Sequence, residues 1–107
     1  MKKILLLLFL PIFSFSQIKE IQFNANWNDA NAVPWVMDLE DCNTIGYTDI
    51  ASNPSEATKY KIAVVPAIII FKDEEEVARF QADLSFKMVA TRKEVQEEID
   101  NQLMSDF

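Results

Sequence analysis

The residues that carry most enzyme chemistry are nearly missing from this chain. It holds no His and one Cys, Cys42, in 107 residues. A His-based triad, a Cys-x-x-Cys dithiol, an intramolecular disulfide and a zinc site of the usual Cys/His type are all excluded by that count. Cys42 follows Asp38, Glu40 and Asp41, and acids beside a thiol oppose the thiolate that reacts and binds metals. Three fates stay open for it: burial as a small hydrophobe, a mixed disulfide with another molecule, or a reactive free thiol. The acid run Asp73–Glu76 lacks the spaced oxygen ligands and the Gly of a calcium loop. It reads as a solvated hairpin tip, where charge also discourages aggregation.

What the chain offers instead is a cluster of carboxamides. The stretch NANWNDANAVPW, residues 24–35, places Asn24, Asn26, Asn28 and Asn31 around Trp27, with Pro34 and Trp35 behind them. A carboxamide donates and accepts hydrogen bonds but has no accessible pKa and is no nucleophile. Such a cluster suits recognition or helix capping rather than bond breaking.

The surrounding pattern shows what positions this stretch. IKEIQF (18–23) alternates imperfectly and reads as a strand leading into it. A helix should follow through Val36, Met37 and Leu39. It starts either at an Asn28 or Asp29 cap with a kink at Pro34, or afresh with Pro34 as its first residue. TIGYTDI (44–50) is a second strand, and SNPSEATKY (52–60) a turn into a short helix with Pro54 at its first position. AVVPAIIIF (63–71) is the strongest strand, its continuous branched apolar run predicting a central position covered on both faces. KDEEE turns it into VARFQA (77–82), an antiparallel hairpin. Thr91 and Glu94 form a capping box, and Val95, Ile99 and Leu103 line one face of the closing helix. The order β-α-β-α-β-β-α predicts an α/β fold, a four-stranded mixed sheet flanked by helices.

The first sixteen residues, MKKILLLLFLPIFSFS, have the three parts of a secretory signal: Lys2 and Lys3, the apolar run Ile4 to Phe13, and small Ser14 and Ser16. The run is half the ~20 residues of a membrane span, so cleavage before Gln17 is expected, with an uncleaved anchor as the alternative; cleavage leaves one domain, residues 17–107, with no span, in a secreted or periplasmic setting. The formal charge of −7 becomes −9 once the two leader lysines are gone. That balance argues against nucleic acid and anionic membranes as partners.

Taken together, the punctuating residues resemble the thioredoxin superfamily over nearly all of residues 17–107. IQFNANW resembles the strand that leads to that family's Trp-Cys-x-x-Cys motif, with Trp27 as the matching Trp. DIASNPSEATKY resembles its Asp-x-x-x-Asn-Pro passage, and YKIAVVPAIIIFKDEEEV its short helix end, cis-Pro and central strand, with Pro66 at the cis-Pro position. The departures are as specific. Asn28 and Asn31 stand where the family has its two cysteines, and Gln22 where many members carry a buried acid. The opening β-α unit is missing, the first helix is short, and the hairpin lacks the usual Gly and has one extra residue. What remains is the minimal form of the fold.

The resemblance implies no catalytic residue at the motif, because disulfide exchange is thiolate attack and a carboxamide forms no thiolate. It implies a peptide-binding groove of Trp27, Asn28, Asn31, Val65 and Pro66, the backbone of Val65 pairing with an extended peptide or envelope protein. No cofactor or metal is expected. The leading expectation is therefore a redox-inactive, non-catalytic binding module. The alternative is accessory thiol–disulfide oxidoreductase function through Cys42 or a catalytic partner, and a third reading is a degenerate paralogue kept as a structural piece. Without the opening unit, the strand at 45–50 becomes a sheet edge, which predicts a homodimer or partner binding there.

Overall fold

The computed structural model describes residues 16–105; the expected leader lies outside the described residues except for Ser16. Four strands form one mixed sheet in the order β2-β1-β3-β4. They are β1 (Ile18–Asn24), β2 (Thr44–Asp49), β3 (Ala67–Lys72) and β4 (Glu75–Gln81). β1 pairs parallel with β2, Ile21 opposite Gly46, and antiparallel with β3, Ile21 opposite Ile69. Helix α1 (Pro54–Lys59) follows β2, and α2 (Arg92–Met104) closes the chain. No described helix is long and apolar enough to cross a membrane.

β3 is central as its sequence predicts, and Ala67 to Phe71 are all buried. Alternation sends Ile68 and Ile70 to one face, with Ile18, Val33, Val36, Leu39, Val95 and Ile99. It sends Ala67, Ile69 and Phe71 to the other, with Phe23, and with Tyr60 and Ile62 beyond α1. Fully burying each such isoleucine contributes about 1.5–3 kcal/mol. The capping box of α2 forms as expected, Thr91 Oγ1 accepting from the Glu94 N–H at 3.2 Å and Glu94 Oε1 accepting from the Thr91 N–H at 2.9 Å.

Three expectations need correction. The first helix is not an α-helix: two 3-10 turns, Asn26–Asn31 and Pro34–Asp38, stand in its place. Asn28 and Asp29 do not cap it, since the residue before the first turn is Ala25 and no side chain caps it. Pro34 does begin the second turn, and Pro at that position removes the N–H that would have carried one continuous helix across the junction. The strand expected from Ala63 begins only at Ala67, because Pro66 breaks the run. The hairpin turn is just Asp73 and Glu74, both at positive φ (51° and 72°), the conformation that two-residue hairpins demand. Asp73 offsets the missing Gly by bonding: its Oδ1 accepts from the Gln17 N–H at 3.0 Å, and its own N–H donates to the Gln17 carbonyl at 2.9 Å.

Candidate functional site

The carboxamides assemble at the end of β1. Asn24, wholly buried, ends the strand with its side chain turned to the first 3-10 turn, and donates from Nδ2 to the Asn28 carbonyl at 3.2 Å. Asn28 returns the bond from its own Nδ2 to Asn24 Oδ1 at 3.1 Å. The same nitrogen faces the Phe86 carbonyl at 3.2 Å and the Val65 carbonyl at 3.4 Å. Two amide protons cannot fully serve three acceptors, so the longest of these contacts, to Val65, is the weakest. Asn31 completes the cluster, donating to Asn28 Oδ1 at 2.9 Å. Asn28 is thus buried and fully engaged, while Asn31 reaches solvent in part.

The five residues expected to line a groove do meet here, at different depths. The Val65–Pro66 bond is cis, and both residues are buried. The Val65 carbonyl is held by Asn28, whereas its N–H has no partner among the described residues. Trp27 is not core: it is 63% exposed. Its ring meets the edge of Phe86 at a centroid distance of 5.3 Å and an interplanar angle of 87°. Phe86 sits at positive φ in a loop organised by Asp83, whose Oδ1 accepts from Ser85 Oγ, the Ser85 N–H and the Lys87 N–H. Those bonds hold the Asp83 carboxyl below its ordinary pKa. The site is therefore a sealed amide floor, with an exposed Trp and a half-exposed Phe above it.

One strand position below, Gln22 binds the connector between the two turns. Its Oε1 accepts from the Val33 N–H at 2.7 Å and its Nε2 donates to the Val33 carbonyl at 3.1 Å. Glu20, two residues earlier on the same face, is wholly buried and neither carboxyl oxygen finds a partner. Burial pushes its pKa up to about 8, since an apolar surround penalises the charged form.

Solved structures with this architecture are clear in kind and remote in sequence. A point mutant of thioredoxin from Halobacterium salinarum NRC-1 superimposes with a TM-score of 0.66 at 20% identity, covering 81% of this chain and 75% of its own. Thioredoxin from Fasciola hepatica gives 0.60 at 22% identity, covering 91% and 89%. A designed protein gives 0.58 at 18% identity, covering 81% of each chain. The chain has the thioredoxin-like fold. No protein-family model and no curated protein matches its sequence.

Within this thioredoxin-like fold, Asn28 and Asn31 stand at the positions that the sequence resemblance gives to the two thiols, and Gln22 at that of the buried acid. Cys42 lies elsewhere, half-buried against the face that holds Ile18 and Leu39. Burial first, then the charges of Glu20 and Asp41, push its pKa up to about 11. Sequence reasoning missed Phe86 and Glu20. Asp83-x-Ser85 is a recognisable Asx turn that could have flagged the loop presenting Phe86. Glu20 could have been found by continuing the Ile18-Gln22-Asn24 phase of β1.

Proposed function

We propose that this protein is a redox-inactive binding module of the cell envelope or extracellular space, holding an extended peptide or a protein loop at Trp27 and Phe86. The observation that carries the reading is the exposed Trp27 ring set edge-on to Phe86 over a floor of interlocked carboxamides. An exposed aromatic pair gives contact area at low entropic cost, and the Val65 N–H, without a partner among the described residues, is the backbone donor we assign to a peptide carbonyl. The amide floor forms no thiolate, so contact there ends in binding rather than exchange. The signal-like N-terminus supports export.

An array of cysteine-free extended peptides, read with the wild-type protein and with Trp27→Ala and Phe86→Ala, tests this. Both variants should lose the wild-type signal while keeping the wild-type circular dichroism. Peptide binding that survives both substitutions, or no binding to any peptide, would overturn it. The second reading, thiol chemistry through Cys42, draws no support from a half-buried thiol whose pKa lies near 11.

A further inference from the structure

The two edges of the sheet are built in opposite ways. β4 is guarded: Glu75, Glu76 and Arg79 lie along it, Arg79 binds both Glu76 and the Tyr60 carbonyl, and the register with β3 shifts between Ile70 and Phe71. Charges and an irregular ladder are the usual devices against strand pairing. β2 has neither. Its register with β1 is unbroken, and it carries Thr44, Ile45, Gly46, Tyr47 and Thr48 before Asp49. Among the described residues, no strand pairs with its outer side.

Gly46 is the sole glycine of the chain, and the fold does not require it. Its φ is not positive. A Cβ added there would meet Ile21 Cγ1 at 3.7 Å and the Glu20 carbonyl at 3.8 Å, which is ordinary contact. A strand glycine without a bulge or a turn marks a place where another backbone comes close. Against the same edge lies an apolar groove of about 260 Å³, walled by Val33, Pro34, Val36, Met37, Ile45 and Tyr47. Met37 and Tyr47 on its wall are 72% and 49% exposed. Sites that enclose a whole small molecule run to about 300–1,000 Å³, so this one suits one or two apolar side chains of a longer segment.

Charge selects the occupant. Residues 20–58 contain seven of the chain's 17 acids and none of its 10 bases. One of the seven, Glu20, is wholly buried with its pKa pushed up to about 8, which leaves six acids and no base to set the charge of this segment. Asp38 follows Met37 of the groove, Asp41 precedes β2, and Asp49 ends it. Asp49 already accepts from Asn26 and Ala51 N–H groups but keeps its charge. A second copy would bring the same acidic face and be repelled.

We propose that β2 is a docking edge for an extended segment of another protein, apolar residues flanked by Lys or Arg, which adds as a fifth strand and seats a side chain in the groove. This surface is separate from the Trp27 site. The probe is a short peptide of alternating Val and Lys, titrated into the protein by isothermal calorimetry, beside a counterpart with Glu for every Lys and one N-methylated at alternate amides. The Val/Lys peptide should bind, more weakly as salt rises, and the other two should not. Thr48→Lys should weaken it about tenfold with the circular dichroism unchanged; Thr44→Lys serves if that variant does not fold. Equal binding of the Glu peptide, indifference to N-methylation, or unchanged affinity in the folded Lys variant would overturn the proposal. So would a peptide-free dimer that Thr48→Lys dissociates, since the occupant would then be a second copy.

Discussion

Asn31 donates its amide proton to Asn28 Oδ1 at 2.9 Å, so the positions that could have held a dithiol are joined by a hydrogen bond. Asn28 in turn ties the strand end at Asn24 to the Phe86 loop and to Val65. One side chain thereby fastens three segments.

Removing that side chain should therefore be costly. Asn28→Ala leaves Asn24 Oδ1 short of a donor in a buried place, and the Phe86 carbonyl short of one in a part-buried place, a loss of about 1–3 kcal/mol. Asn31→Ala, which solvent can partly repair, should cost less than about 1 kcal/mol. Urea denaturation of both checks the order. Equal midpoints for Asn28→Ala and the wild type would show that the cluster holds nothing together.

Glu20 sets a pH dependence opposite to that of ordinary carboxylates. Burial raises its pKa from 4.5 to about 8, so between those values the folded state keeps a proton that the unfolded state has released. Stability should fall as pH rises across that window, by up to about 1.4 kcal/mol per unit. Glu20→Gln, which is never charged, should match the wild type near pH 4 and exceed it increasingly above. Parallel stability profiles for the two proteins would contradict this.

The Trp27–Phe86 contact should be measurable by itself. A double-mutant cycle on the two alanine variants is expected to give a coupling of about 0.5 kcal/mol, the low end for aromatic pairs because Trp27 faces water. Zero coupling in thermal melts would mean that the loop and the ring meet without holding one another.

The parts of the fold legible in the sequence were those with an unambiguous period. β3 is apolar from Ala67 to Phe71 because both its faces are covered, and α2 announces itself through Thr91, Glu94 and the spacing of Val95 and Ile99. β1 was legible only as a strand. The alternation of Ile18, Ile21 and Phe23 is imperfect because Ile18 lies on the phase of Glu20, Gln22 and Asn24, and that phase is buried throughout. Polar residues on that phase mask burial, and nothing local says that a carboxyl will be enclosed. The 3-10 turns were read as helix because Pro34, Val36, Met37 and Leu39 fit both; the tighter winding follows from the break that Pro34 imposes.

The candidate site was legible in its positions more than in its depth. Trp27, Asn28, Asn31, Val65 and Pro66 come together, yet the sequence does not show that Asn28 would seal the floor or that a loop 58 residues beyond Asn28 would set Phe86 on Trp27. Those features depend on long-range packing and on the positive φ of Phe86, which no local pattern specifies.

The central claim is that the domain binds without exchanging disulfides, and insulin reduction by dithiothreitol tests it most directly. The purified protein, with Asn at 28 and 31 and the Cys42 thiol held near a pKa of 11, should leave the rate of turbidity onset at that of the protein-free control. Acceleration by the wild-type protein that disappears in Cys42→Ser would contradict the account and make Cys42 the working thiol.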